Sequence, residues 1–395
     1  MTKAPRGERL IITFLGRRNV GKSSLINAIA GQEIAIVSEE PGTTTDPVAK
    51  AYELIPIGPV TFYDTGGLDD LGDLGRMRIK ATQKVMLRTD IAIVVVGEEG
   101  VMPKDYDIID ELKKMEIPYL IVFNKSDVAT PEIPKEEMAR SVRVSTKTLL
   151  GIEAVKEKII ECVPDSFRRE PLIIGDLIDR EDTVVLVVPL DYSAPKGRLI
   201  LPQVQVIREI LDHHAIAITV KDDALNETLA MLHQPPALVI TDSQVVEKVG
   251  KIVPENIPFT TFSTAFARYK GDLKVLVEGA NAVDHMENGD KILIAEACSH
   301  HVQSDDIGRV KIPRWLKKYT GKDLHFDVYS GHDFPENLEE YTLIIHCGSC
   351  MITGMEFKRR LYTAHRMKIP ITNYGIIISK VHGILNRVIR PFEFK

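Results

Sequence analysis

Three of the four cysteines stand in two short groups that are rich in side chains able to bind metal. The groups are Cys298-Ser299-His300 and His346-Cys347-Gly348-Ser349-Cys350. Each group follows an apolar segment, residues 291–295 and 343–345, that is typical of a buried parallel strand. Because the carboxyl ends of parallel strands meet at the edge of a sheet where ligands bind, we expect the three sulfurs to lie together there.

These residues alone are compatible with several kinds of site. Cys347 and Cys350 form a C-x-x-C pair, which also occurs as a thiol redox pair or as packed core cysteines. A third cysteine at a strand end, with histidines beside two of the three, favours a metal. Three thiolates without a fourth fit an iron–sulfur cluster with one replaceable ligand, or a zinc site of three cysteines and one histidine. The candidates for the fourth position, or for the shell around it, are His300, His346, Asp305 and Asp306.

A second chemical pattern lies near the start of the chain. It is the run Gly16-Arg17-Arg18-Asn19-Val20-Gly21-Lys22-Ser23, placed between a β-rich segment at 9–15 and a predicted helix at 24–29. This is the strand–loop–helix context of a P-loop. Backbone N–H groups and the helix N-terminus can bind an anionic phosphate. Lys22 can bind the β and γ oxygens of that phosphate, and Ser23 can bind a magnesium ion. The residues assigned to the nucleotide here are Gly16, Asn19, Val20, Gly21, Lys22, Ser23 and Ser24.

Four further runs follow in the order that a GTPase requires. They are Pro41-Gly42-Thr43-Thr44-Thr45-Asp46, Asp64-Thr65-Gly66-Gly67, Asn124-Lys125-Ser126-Asp127 and Ser145-Thr146-Lys147. A threonine of the first run can reach magnesium when a γ-phosphate is present. Asp64 is placed to hold the water shell of the metal, and Gly66 to contact the γ-phosphate. Asp127 can accept both N–H groups of a guanine edge, which adenine does not offer. The base-binding residues are therefore Asn124, Lys125, Asp127, Ser145, Thr146 and Lys147.

Residues 9–163 resemble a small GTPase domain, and within that class the group of tRNA-modifying and ribosome-assembly GTPases. The resemblance is carried by Asn19, by the Gly-Thr-Thr run and by Asp-Thr-Gly-Gly. It implies that Thr44 is the magnesium threonine and that Asn19 binds potassium. Leu68 stands where many GTPases place a water-orienting glutamine, so we expect slow basal hydrolysis of GTP to GDP and phosphate. The expected catalytic residues are Lys22, Thr44 and Gly66.

Composition sets the class of protein. A chain of 395 residues, 44% of them hydrophobic and 27% charged, is expected to form two or three globular domains. The net charge of −6 argues against a nucleic-acid binder. No signal peptide or long apolar run is apparent, so we expect a cytoplasmic protein without membrane contact. Cys162 lies within an apolar helical pattern and is expected to be a packed helix residue.

The predicted fold class is α/β, with a P-loop GTPase domain followed by two further α/β domains whose sheets are mostly parallel. A proline- and charge-rich linker at 164–171 ends the GTPase domain at residue 168. Strands then alternate with helices, which predicts right-handed crossovers and parallel sheets over residues 171–270 and 271–395. We detect no internal repeat in the sequence.

A GTPase of this group, followed by the two cysteine groups with 45 residues between them, resembles the FeFe-hydrogenase maturation GTPases, the HydF family. The resemblance covers the whole chain. It implies a 4Fe-4S cluster held by Cys298, Cys347 and Cys350, a homodimer formed through 171–270, and assembly to a tetramer through 271–395. It also implies that two radical-SAM maturases load a two-iron precursor onto the protein and that the FeFe-hydrogenase apoprotein receives it.

Basic residues are concentrated near the C-terminus. From residue 356 onwards there are nine lysines and arginines against two acids. We hypothesise that some of these nine residues, tested at Lys358, Arg359 and Arg360, create a positive field that attracts an anionic iron precursor or an acidic partner.

Overall fold

A computed structural model describes most of the chain. The described residues are 9–31, 48–65, 85–164, 172–189, 199–297, 306–331, 334–335, 337–349 and 352–393. The chain divides into two compact units, residues 1–170 and 171–395.

The first unit is built on a six-stranded sheet in the order β2-β3-β1-β4-β5-β6. Strand β2 is antiparallel to β3, and the other pairs are parallel. Its strands are β1 (Leu10–Leu15), β2 (Val48–Leu54), β3 (Gly58–Asp64), β4 (Ile91–Val96), β5 (Tyr119–Phe123) and β6 (Ser141–Arg143). Its helices are α1 (Lys22–Ala30), α2 (Pro103–Lys114) and α3 (Ile152–Cys162).

The central strands are apolar because helices cover both faces of this sheet. Successive side chains of a strand point to opposite faces. In β4, Ile91 and Ile93 therefore join a core with α1 and α3, whereas Ala92 and Val94 join a second core with α2. Cys162, at the end of α3, packs against the first of these cores, as predicted.

The second unit contains two parallel four-stranded sheets. The first, in the order β10-β9-β7-β8, consists of β7 (Thr183–Val187), β8 (Ile216–Val220), β9 (Leu238–Thr241) and β10 (Phe259–Thr261). The second, in the order β12-β11-β13-β14, consists of β11 (Lys291–Glu296), β12 (His325–Ser330), β13 (Leu343–His346) and β14 (Ile371–Asn373). The predicted α/β class with parallel sheets is confirmed.

The helices of this unit connect and cover the strands. They are α4 (Leu201–Asp212), α5 (Leu225–Met231), α6 (Val246–Ile252), α7 (Phe262–Lys270), α8 (Leu273–Ala280), α9 (Ile312–Thr320), α10 (Gly354–Arg366), α11 (Tyr374–Val381) and α12 (Leu385–Glu393). None of the helices in the described ranges is long and apolar enough to cross a membrane.

The two sheets have the same strand topology, although no internal repeat is detected in the sequence. In each sheet the first strand of the repeat has the second strand on one side and the third and fourth on the other. The match extends to single hydrogen bonds: Asp242 N donates to Val187 O at 3.2 Å, and Cys347 N donates to Ala295 O at 2.9 Å. The sequence signal is short: Ile-Pro-Phe-Thr before α7 and Ile-Pro-Ile-Thr before α11.

The two repeats interlock. Helix α8, which follows the first repeat, packs on β14, and α12, which follows the second, packs on β10. Thr260 Oγ1 fixes the latter contact by donating to Val388 O at 2.8 Å. Helices α7 and α11 also meet, and there Ser263 lies against its counterpart Gly375, where an added Cβ would come 2.1 Å from the Ser263 Cβ. One buried core therefore contains residues of both sheets, and the boundary placed at residues 270 and 271 stays a prediction.

Two helix boundaries lie near these contacts. Helix α7 begins directly after β10 and ends at residue 270. Helices α11 and α12 are separated at Gly383, whose φ of 71° a helix does not permit.

Candidate functional site

The P-loop of the first unit has the backbone that the sequence predicts. Asn19 and Gly21 adopt φ of 62° and 94°, which turns the chain into the start of α1. Gly16 passes so close to β4 that a Cβ would lie 2.4 Å from Val95 O. The Lys22 ammonium donates to the carbonyl oxygens of Gly16 at 2.9 Å and Arg17 at 2.7 Å, so it lies within the loop.

Two predicted magnesium ligands are brought together. Ser23 Oγ at the start of α1 lies 2.5 Å from Asp64 Oδ2 at the end of β3. A hydroxyl and a carboxylate at this distance are oxygen donors of the kind magnesium prefers, so the pair fits the ion. Thr44 and Gly66, the other residues expected to read the γ-phosphate, lie outside the described residues.

Asn124 connects the phosphate loop to the base-binding loop. It is 2% exposed, its Nδ2 donates to Val20 O at 2.9 Å, and its Oδ1 accepts from Thr146 N at 3.2 Å. A Cβ on Gly21 would lie 2.2 Å from the same amide, so only glycine fits there. The two loops are therefore held at a fixed separation by one buried side chain.

Asp127 is set up to remain charged. Ser145 Oγ donates to its Oδ1 at 2.6 Å, and this hydrogen bond, with the charge of Lys147 adding a smaller effect, lowers the pKa of the carboxyl. The neighbouring Lys125 has φ of 64° and an ammonium 3.5 Å from Glu98. An exposed carboxylate is thus presented where a guanine edge would offer two N–H groups.

Sequence reasoning gave Arg17 no role, although the structure gives it one. Its guanidinium donates to Asp105 and Glu99, each at 3.2 Å, and to Gly100 O at 3.3 Å. Because Asp105 lies in the first turn of α2, these contacts tie the P-loop to that helix. The partners are more than eighty residues away in sequence, so no local pattern signals them.

The described cysteine of the two groups lies where the second sheet of the second unit changes direction. Strand β12 lies on one side of β11 and β14 beyond β13, so the crevice between β11 and β13 is the switch point at which open α/β sheets bind ligands. Cys347 directly follows β13 and is 9% exposed. Ala297, directly after β11, donates its N–H to Cys347 Sγ at 3.0 Å. The two strand ends therefore meet at a cysteine sulfur, and the gathering of all three sulfurs stays a prediction.

Some of the remaining candidate ligands belong to the described residues and others do not. Cys298, Cys350, His300 and Asp305 lie outside the described residues. Within those residues, no group of three histidine, cysteine or acidic side chains is gathered as for a metal.

His346 is buried and engaged at both ring nitrogens. Arg360 Nη1 donates to Nε2 at 2.9 Å, so Nδ1 carries the ring proton, which points at Cys347 O at 3.0 Å and at Ser349 Oγ at 3.1 Å. Burial, and then the charge of Arg360, lower the pKa of His346 to about 3. The imidazole is therefore neutral, and its accepting nitrogen is already occupied by Arg360.

Asp306 begins the turn before α9. Its Oδ1 accepts from Arg309 N at 2.9 Å, which caps that turn. Arg309 in turn donates to Glu296 at 2.8 Å and to Ser330 Oγ at 2.8 Å. Glu296 is 2% exposed and ends β11, so this ion pair braces the strand that leads to Cys298.

Two of the three basic residues at 358–360 do not contribute to an exposed basic patch. Arg359 and Arg360 are buried, and Arg360 forms a salt bridge of 2.8 Å with the buried Glu356. Only Lys358 is exposed. Helical spacing alone did not reveal that α10 turns these arginines inward.

Three family models match the chain. The 50S ribosome-binding GTPase model covers residues 11–125, the hydrogen maturase F dimerization domain covers 173–271, and the hydrogen maturase F tetramerization domain covers 274–391. The dimerization and tetramerization models follow one another over the second unit. The tetramerization model contains both cysteine groups.

Curated relatives match the GTPase region. The tRNA modification GTPase MnmE of Laribacter hongkongensis is 35% identical over 160 residues, which are 40% of this chain and 35% of the relative. GTPase Der of Clostridium tetani is 32% identical over 168 residues, 40% of this chain and 38% of the relative. The chain thus spans little more than a third of the length of these relatives. The solved G domain of the FeoB iron transporter of T. maritima is 24% identical, with a TM-score of 0.32, over 40% of this chain and 99% of its own.

Proposed function

We propose that this chain, which belongs to the hydrogen maturase F family and is a GTPase, holds a 4Fe-4S cluster on Cys298, Cys347 and Cys350 and carries the two-iron precursor of the FeFe-hydrogenase active site. The observation that carries the proposal is the hydrogen bond from Ala297 N to Cys347 Sγ. Ala297 is the residue before Cys298, and its contact with Cys347 brings the end of β11 and the segment after β13 together at a ligand-binding crevice.

The donor set suits an iron–sulfur cluster. An N–H directed at sulfur stabilises a thiolate, and such hydrogen bonds tune cluster potential. Three thiolates leave one iron with an oxygen, nitrogen or water ligand, and this position exchanges more readily because thiolate is the softer match for iron. When bound, the cluster supplies that open position to the two-iron cargo.

Within this proposal His346 orients the loop and does not bind iron. Its Nε2 accepts from Arg360 and its Nδ1–H is directed at the loop carbonyl, so ligation would require displacement of a buried arginine. The fourth position then falls to His300, Asp305, Asp306 or water. Histidines that orient metal-binding loops are common around metals.

The nucleotide site carries out the GTPase reaction with the residues named above. Lys22 and the P-loop amides hold the phosphates, Ser23, Asp64 and Thr44 hold magnesium, and Gly66 contacts the γ-phosphate. Asn19 supplies a ligand to potassium, which takes the place of an arginine finger. The Ser23–Asp64 contact supports this assignment.

Hydrolysis would time the binding and release of partners and would not supply the iron chemistry. The switch segments 43–46 and 66–75 are the elements expected to respond to the γ-phosphate. The partners are the two radical-SAM maturases and the hydrogenase apoprotein, and the matched dimerization and tetramerization domains support a homodimer that associates to a tetramer.

Anaerobic purification, followed by iron and sulfide analysis and electron paramagnetic resonance of the reduced protein, tests the proposal. We expect about four irons per chain and a spectrum that shifts when imidazole is added, because one coordination position exchanges. A colourless zinc protein would show a structural site, and a metal-free protein with a reversible Cys347–Cys350 disulfide a redox switch. Either result would overturn the proposal.

A further inference from the structure

A buried lysine of the first repeat reaches the cysteine loop of the second, defined here as the described residues 347–349 and 352–353. Lys270 is the last residue of α7 and is 4% exposed. Its ammonium donates to Ser349 O at 3.0 Å and to Ile352 O at 3.1 Å. These carbonyls precede and follow residues 350–351 in the chain. The loop that carries Cys347 is therefore fastened by a cation from outside its own sheet.

The loop has a backbone conformation that needs such fastening. Ser349 adopts φ of 56° and is 1% exposed. A left-handed conformation is uncommon for a residue other than glycine, and contacts with its surroundings help to hold it. The Lys270 ammonium binds the carbonyl of Ser349, and Ser349 Oγ contacts His346 Nδ1 at 3.1 Å.

Close packing around its backbone fixes the position of Lys270. Gly271 lies so near α10 that a Cβ there would come 2.6 Å from Phe357 Cε1. A Cβ on Gly354, the first residue of α10, would lie 3.5 Å from Lys270 O. The end of α7 is thus seated on the start of α10, which leaves the side chain of Lys270 directed at the loop.

The repeat offers an internal comparison. His382 follows α11 at the position equivalent to Lys270, since each lies eight residues after the aromatic residue that begins its helix, Phe262 or Tyr374. Its Nδ1 lies 3.2 Å from Glu247, in the helix after β9 of the first repeat. In each repeat the residue at this position therefore contacts the segment that follows the third strand of the other repeat. The contact at the cysteine loop differs because it uses a lysine side chain that donates to two backbone carbonyls.

We propose that Lys270 is a positioning residue for the cluster: it holds the cysteine loop in its ligating conformation, and its charge stabilises the reduced, more negative state. The inference rests on the proposed function. It makes the segment matched to the dimerization model part of the support of the metal centre in the following domain.

The test uses the full chain in four forms: wild type, Lys270→Met, Lys270→Arg and the control Lys274→Met, whose lysine is exposed on α8. Hydrogen exchange of the 347–353 peptide is measured on the metal-free proteins. The midpoint potential is measured on proteins reconstituted with iron and sulfide.

For Lys270→Met we expect about tenfold faster exchange, the effect of losing a charge-assisted hydrogen bond, and a more negative midpoint potential. Lys270→Arg should retain both wild-type values, as should the control. Wild-type values in Lys270→Met would overturn the inference. If that variant does not fold, Lys270→Gln replaces it, and a wild-type potential in Lys270→Gln has the same meaning. A wild-type protein that takes up no iron overturns the proposed function instead, while exchange in the metal-free proteins still tests the lysine.

Discussion

Arg360 Nη1 lies 2.9 Å from Nε2 of His346, and both side chains are buried behind the cysteine loop. The same guanidinium forms a salt bridge with the buried Glu356. An arginine, a glutamate and a neutral imidazole are thus joined in one buried network next to Cys347.

Removal of the cation alone should be costly. Arg360→Met leaves Glu356 buried without its counter-ion, so we expect the free energy of unfolding to fall by about 3–5 kcal/mol. The measurement is urea unfolding of the metal-free protein. The double variant Arg360→Met with Glu356→Leu should recover much of the loss, and the exposed Lys358→Met serves as the matched control. Loss of less than about 1 kcal/mol in Arg360→Met would contradict the network.

His346 predicts a pH dependence of stability. Its pKa is about 3 in the folded state and near 6.5 in the unfolded state, so between these values the unfolded chain binds the extra proton. The contribution of His346 to the free energy of unfolding is therefore fully present above about pH 6.5. It is lost as the pH is lowered towards 3, and the loss amounts to roughly 3–5 kcal/mol. Unfolding of wild type and of His346→Gln, compared from pH 7 to pH 4.5, should show a shallower loss in the variant. Parallel curves would count against the buried neutral imidazole.

Potassium should accelerate GTP hydrolysis, and Asn19→Ala should remove most of that acceleration. An arginine finger contributes roughly 10³ to 10⁵ in rate, and potassium is expected to act in its place. Phosphate release is measured in potassium and in sodium at equal ionic strength. Equal wild-type rates in the two salts would sink this prediction, and the sodium rate of the variant serves as its baseline.

Asp127 should decide base specificity. Replacement by asparagine removes a charged acceptor of two N–H groups, so we expect GTP affinity to fall about 10²-fold, the effect of losing charge-assisted hydrogen bonds. Xanthine carries an oxygen in place of the exocyclic amine, and the asparagine amide can donate to it. Asp127→Asn should therefore bind xanthosine triphosphate better than wild type does. Unchanged selectivity, measured by competition, would remove Asp127 from the base site.

The meeting of the two repeats can be tested at Ser263. Gly375→Ala places a Cβ 2.1 Å from the Ser263 Cβ, so we expect a loss of about 1–3 kcal/mol from overpacking. Addition of Ser263→Gly should restore most of it, and Gly354→Ala, whose added Cβ would meet its nearest neighbour at an ordinary contact distance of 3.5 Å, is the control for an added methyl group. A double variant as unstable as Gly375→Ala would show that the two positions do not meet.

The sequence predicted what depends on local pattern. Strand–loop–helix spacing located the P-loop, and apolar runs before the cysteines located the ends of β11 and β13. Contacts between distant segments were not predictable in this way. Arg17 meets Asp105, Lys270 meets Ser349, and Arg360 turns inward because α10 packs against the sheet. The repeat was missed because its two copies share topology and hydrogen bonding but few residues.

The crossed placement of α8 and α12 has a consequence for how this region can be divided. The helix that follows each repeat packs on the last strand of the other repeat. A fragment that stops at residue 271 lacks α12, which leaves Phe259 of β10 exposed to water and Thr260 without the carbonyl that it binds. The segments matched to the dimerization and tetramerization models are therefore expected to fold as one body, and neither is an interchangeable module.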